Sequence, residues 1–207
     1  MKRMLTPIFV LLLSLGSPGA GAAERSDAEK QAIQKIEAAG GTVREIAQND
    51  DRLEVNFQLT GEPVTDEHVA PVAELSDVYE LRLGKTSVTD GGLAHIKGLS
   101  ALNRLHLENT KIGDAGLAHL KGLKELTYLN LYETLVTDAG LKHLKGLKNL
   151  KNLYVWQTRV TDAGADELRK ALPDLKIEKG WDLAEVEATQ KKQESKTKKE
   201  EKKEGAN

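Results

Sequence analysis

The chain has 207 residues, 39% hydrophobic but only 4% aromatic, with a formal charge of −2 and no cysteine. That length suits one domain with terminal segments, and the slightly acidic balance gives no electrostatic reason to bind nucleic acid. The absence of cysteine excludes disulfides, thiolate catalysis, Cys-based zinc sites and a lipidated cysteine.

Residues 1–23 carry the three-part pattern of a secretory signal. Lys2 and Arg3 come first, an apolar run follows from Ile8 to Leu15, and the small residues Ala20-Gly21-Ala22-Ala23 close it. The run is too short to cross a bilayer. Export to the periplasm or beyond the cell is therefore expected, with no integral membrane segment after signal removal.

Residues 24–53 read as a cap. A helix is expected over 27–40 with Ala28, Ala32, Ile33, Ile36 and Ala39 on one side, ended by Gly40-Gly41. A strand from Val43 to Ile46, a polar turn over Gln48-Asn49-Asp50-Asp51 and a strand from Leu53 to Leu59 suggest a hairpin.

From residue 54 to 178 the chain repeats every 24 residues: Val78-x-x-Leu81-x-Leu83, Leu102-x-x-Leu105-x-Leu107, Leu126-x-x-Leu129-x-Leu131 and Leu150-x-x-Leu153-x-Val155. Val88, Ile112, Val136 and Val160 recur five positions later. Asp90, Asp114, Asp138 and Asp162 then precede apolar residues at helical spacing, such as Leu141/Leu144/Leu147. A degenerate first copy fits the same frame with Phe57, Leu59, Val64, Asp66, Val69, Val72 and Leu75, and Glu54 in the first position.

These units resemble the leucine-rich-repeat family, with Thr86, Thr110, Thr134 and Thr158 at the family's asparagine position. The wording Val-Thr-Asp-Ala-Gly-Leu from Val136 resembles repeats of exported planctomycete-type bacterial proteins. The resemblance implies an α/β leucine-rich-repeat solenoid: a curved right-handed β-α horseshoe of about five repeats, with a parallel sheet on its concave side.

A strand and a short helix cannot bury their apolar sides alone, so the units must stack into one core. Thr137 and Asp138, with their equivalents, are expected to supply the N-cap oxygens of the helices, with Val136 and Leu141 as a staple if Thr137 is the cap, and Gly98, Gly122 and Gly146 to stop them. The ladder threonines are expected to satisfy backbone groups in the turns. Beyond the repeats, Pro173 should end the last helix, Leu175-Lys176-Ile177 should add a strand, and Trp181 should cover the end within a cap over 179–189. Residues 190–207, nearly all Lys, Glu, Gln, Ser and Thr, have too little apolar surface to order themselves.

Side chains alternate along a strand, so the residues between the leucines form columns on the exposed sheet face. One column is Gln58, Arg82, His106, Asn130, Tyr154. It is flanked by Thr60, Gly84, Glu108, Tyr132, Trp156 and by Asn56, Glu80, Arg104, Tyr128, Asn152. Tyr128, Tyr132, Tyr154 and Trp156 should form an aromatic patch beside Arg82, Arg104, His106 and Glu108. Aromatics and arginine are the residues that interfaces favour, although cross-strand aromatic pairs also stabilise sheets without any partner. The expected partner-binding set is therefore Arg82, Arg104, His106, Glu108, Tyr128, Asn130, Tyr132, Tyr154 and Trp156. The expected partner is a protein or peptide, with an envelope glycan or a purely architectural role as alternatives.

His95, His119 and His143 recur on the helical side, as do Lys97, Lys121 and Lys145, and both rows read as solvated surface rather than metal or anion sites. The only pair with a catalytic look is His106 with Glu108, which lacks an evident pocket, nucleophile or oxyanion donor. No enzyme activity, cofactor or metal is expected.

Overall fold

The computed structural model describes residues 25–58 and 63–180. The expected signal, Leu59, Thr60, Trp181 and the tail lie outside that range. Seven strands form one sheet in sequence order: β1 Thr42–Ala47, β2 Asp50–Asn56, β3 Val78–Arg82, β4 Arg104–His106, β5 Tyr128–Asn130, β6 Asn152–Tyr154 and β7 Lys176–Glu178. β1 and β2 are antiparallel, and every later neighbour pair is parallel. Each coil of chain leaves one strand and returns beside it one period later. Leu81, Leu105, Leu129, Leu153 and Ile177 consequently stack in register in a buried core. This is an α/β leucine-rich-repeat solenoid.

The return segments are shorter than full helices. α2 (Asp66–Val69), α3 (Asp90–Leu93), α4 (Asp114–Leu117) and α5 (Asp138–Leu141) are single turns that tighten into 3-10 turns such as Ala94–Ile96 and Lys142–Leu144. Among the described residues, only α6 (Asp162–Ala171) and the cap helix α1 (Asp27–Ala38) run longer, and Pro173 follows the end of α6. Gly98, Gly122 and Gly146 are not left-handed, so they do not stop these turns as expected. A left-handed residue recurs instead at Lys85, Asn109, Glu133 and Gln157, one per repeat, with φ of 61°, 55°, 55° and 56° just after each strand. None is glycine, so composition gave no signal for them.

Carboxylates join one repeat to the next. Asp66, Asp114 and Asp138 each accept two hydrogen bonds, from the backbone N–H and hydroxyl of Thr89, Thr137 and Thr161. Those threonines in turn cap their own helices. Asp90 accepts from the Gly113 N–H, where the cap hydroxyl is missing. The bonds from Thr161 hold the Asp138 carboxyl below its usual range. Glycine is required beside them: a Cβ at Gly140 would lie 2.4 Å from Asp114 Oδ1. Val136 and Leu141 are both buried, as the staple requires. Thr86, Thr110, Thr134 and Thr158 donate to the carbonyls three residues back, the turn role expected of them.

The first copy departs from the 24-residue frame. Val55 pairs with Leu81 and Asn56 with Arg82, so the strand is offset by two residues and Val55 and Phe57 supply the buried positions. The alternation Leu53-Val55-Phe57 carried that information, and the extra residues fall between Phe57 and Val64. In α1, Ala28 is exposed and Glu29 is buried, contrary to the expected apolar side. Glu29 closes a capping box with Ser26 and accepts from the Ser76 N–H and hydroxyl, which lowers its pKa to about 2. The Ser26-x-x-Glu29 spacing is the signal that marks this clamp.

Candidate binding face

The registers turn the predicted columns into rows of neighbours. Glu80, Arg104, Tyr128, Asn152 and Lys176 follow one another across the sheet, and so do Arg82, His106, Asn130, Tyr154 and Glu178. The offset of β2 brings Glu54 beside Glu80 and Asn56 beside Arg82, not the Asn56–Glu80 and Gln58–Arg82 neighbours expected from the sequence. Gln58 instead donates its amide to Glu108 Oε1. That bridge passes over Gly84, where a Cβ would sit 2.4 Å from the Gln58 amide nitrogen.

Over β2 to β4 the face is charged and internally paired. Arg82 reaches Glu54 (3.0 Å) and Glu80 (2.6 Å), while Arg104 lies 3.5 Å from Glu80. His106 Nε2 stands 3.0 Å from Glu80 Oε1, and its Nδ1 is 3.9 Å from Glu108. Glu80 Oε1, Arg82 Nε, His106 Nε2 and Glu108 Oε2 are nevertheless buried without a well-aligned hydrogen bond. The Arg82 and Arg104 contacts are charge against charge, and the His106 imidazole lies among them. Desolvation is the largest influence on His106 and lowers its pKa, against the opposing pull of the Glu108 charge.

Tyr128 is the junction. The Arg104 guanidinium lies 4.3 Å over its ring, His106 packs at 4.8 Å and Tyr154 at 5.3 Å. Burial pushes the Tyr128 phenol upward, with the neighbouring Tyr154 acting in the same direction.

Over β5 to β7 the face becomes aromatic and open. Tyr132 and Trp156 pack with centroids 5.2 Å apart at 40°, and Trp156 is 43% exposed. Asn130, Tyr132, Tyr154, Trp156, Glu178 and Gly180 line a cleft of about 350 Å³. Gly180 (φ +82°) presses on the indole, since a Cβ there would lie 2.1 Å from Trp156 Cδ1. Asn130 Oδ1 accepts from the Tyr132 N–H. Of the nine predicted residues, Asn130, Tyr132, Tyr154 and Trp156 meet in the cleft. Arg82, Arg104, His106 and Glu108 meet in the charged network, and Tyr128 links the two.

Sequence reasoning missed Glu178 and Gly180, because the last repeat departs from the leucine frame. Extending the Arg82 and Gly84 columns by whole periods would have reached both.

On the opposite side, His95, His119 and His143 are half-buried in the 3-10 turns. Among the described residues, no group of three His, Asp or Glu is placed to hold a metal ion, and no helix is long and apolar enough to cross a membrane.

No family model matches the chain, and no curated protein sequence matches it. Among solved structures it is similar to the leucine-rich-repeat ectodomain of the receptor kinase SOBIR1 from Arabidopsis thaliana. The identity is 17% and the TM-score 0.47, over 75% of this chain and 93% of that one. Internalin C2 from Listeria monocytogenes aligns at 19% identity and a TM-score of 0.41, over 70% of this chain and 81% of its own. A leucine-rich-repeat protein from Leptospira interrogans aligns at 19% identity and a TM-score of 0.41, over 59% of this chain and 36% of its own.

Proposed function

We propose that this chain is a non-catalytic interaction module of the cell envelope that binds a protein or peptide partner through the aromatic end of its sheet face. The observation that carries the reading is the open cleft between Tyr132, Tyr154 and Trp156, on a sheet whose other half sets its charged side chains against one another. Rigid exposed aromatics beside a few polar groups are what recognition surfaces use, and they lose little conformational entropy on binding. His106 and Glu108 are 3.9 Å apart, with His106 Nε2 against Glu80 and the Glu108 carboxylate accepting from Gln58, which supports a structural role over acid–base work. The envelope setting rests on the signal pattern of residues 1–23.

The deciding experiment is capture from native envelope extract with the full mature chain, set beside a Tyr132→Ala/Trp156→Ala variant of matched melting temperature. A partner held by the wild type and lost from the variant supports the reading. Equal recovery by both proteins removes it. Cell fractionation with N-terminal sequencing of the exported product tests the envelope setting.

The same cleft offers ring faces with an amide and a carboxylate, and this favours a second reading as an envelope glycan site. Soluble envelope oligosaccharides would then compete with the captured partner, or bind in its place.

A further inference from the structure

Two arginines on this protein are seated in the same way. The Arg104 guanidinium lies 4.3 Å over the Tyr128 ring with Nε 3.5 Å from the Glu80 carboxylate. Arg52 lies 4.2 Å over the Tyr79 ring and forms a two-pronged contact with Asp50. Each seat is an aromatic face with a carboxylate at its edge. The cleft at the end of the sheet brings the same residue types together, with Tyr132, Tyr154 and Trp156 lining it beside Glu178. Among the described residues no cation pairs with Glu178, while Lys179 on the next position turns to Asp162.

We infer that the cleft of Tyr132, Tyr154, Trp156 and Glu178 receives an arginine side chain of the partner polypeptide, with the guanidinium stacked on the rings and forked to Glu178. The inference rests on the reading of this face as a protein-binding surface and names the chemistry of its anchor. Guanidinium is planar, weakly hydrated and suited both to stacking and to two-pronged contact with a carboxylate. The volume of about 350 Å³ is at the small end of ligand sites and fits one long side chain. A pyranose fits the chemistry less well. It carries no cation to answer the Glu178 carboxylate, whereas the guanidinium does.

The test is titration of the full-length protein with a capped Gly-Arg-Gly peptide, followed by NMR at the Trp156 indole N–H. A Trp156→Phe protein separates that signal from Trp181. The peptide is expected to shift the indole saturably, and its citrulline counterpart, which keeps the shape and loses the charge, to bind at least tenfold more weakly. Glu178→Gln should weaken the arginine peptide at least fivefold with an unchanged unfolding midpoint. Equal binding of the citrulline peptide, an unaffected Glu178→Gln protein, or no indole shift with the arginine peptide would each overturn the inference. An indole shift produced by N-acetylglucosamine oligomers alone would overturn it in favour of a glycan. Envelope capture separates the two levels: a partner lost from Tyr132→Ala/Trp156→Ala but kept by Glu178→Gln leaves the module standing and removes the arginine anchor.

Discussion

The two halves of the sheet face are written in one 24-residue frame but behave differently. Over β2 to β4 the outward residues are charged and point at one another: Glu54, Glu80 and Glu108 against Arg82, Arg104 and His106. Over β5 to β7 they are aromatic and leave a cleft. Charges that neutralise their neighbours have already lost much of their hydration and have little left for a partner, whereas an exposed indole gains by being covered. Residues that look equally suited to binding in the sequence are thus divided between holding the sheet and meeting a ligand.

The largest effect should appear beneath both halves. Leu129→Ala, fully buried under Tyr128 and Asn130, is expected to cost about 2–5 kcal/mol in urea unfolding. A loss confined to one half in hydrogen exchange would show that the halves unfold separately.

Next comes Glu80→Ala, which strands Arg82, Arg104 and His106 around a side chain only 13% exposed. The expected cost is about 2 kcal/mol, below the value for a fully buried pair because the arginines remain partly solvated. By contrast, Tyr132→Ala/Trp156→Ala removes a cross-strand pair and should cost about 1 kcal/mol or less while abolishing partner capture. If the two variants exchanged phenotypes, the division of the face would be wrong.

A pH series sharpens the same contrast. The folded pKa of His106 lies below its usual value of 6.5, chiefly through burial, so the unfolded chain takes up its proton first as pH falls. Stability should decline as pH drops below about 6.5, and His106→Gln should flatten that decline in pH-dependent melting. An unchanged profile in the variant would show that His106 protonates freely.

The smallest effect is expected at the rim, where Gln157 holds φ of 56° after β6. Gln157→Asn should raise stability by a few tenths of a kcal/mol, because asparagine tolerates the left-handed region better. A fall in melting temperature would mean that the Gln157 side chain contributes a contact outweighing its backbone preference.

Much of this architecture was legible because a solenoid is nearly one-dimensional. Leu105 and Leu129 are 24 residues apart in sequence and adjacent in space, so aligning the chain on itself amounts to drawing a contact map. The inward leucines, the cap threonines and the columns of the outer face all follow from that rule. Legibility failed outside the leucine motifs. Leu53-Val55-Phe57 slips two residues against the frame, Ala28 yields its buried place to Glu29, and Glu178 with Gly180 lies past the last leucine motif.

The sequence by itself determined the repeat, the stacking direction and which side chains share a face, because a fixed period makes position in the repeat equivalent to position in space. Tertiary structure alone decided which of those face residues satisfy one another and which remain open. That outcome depends on side-chain reach between strands: Gln58 crossing Gly84 to Glu108, Arg104 folding onto Tyr128, and Gly180 leaving room for the Trp156 ring.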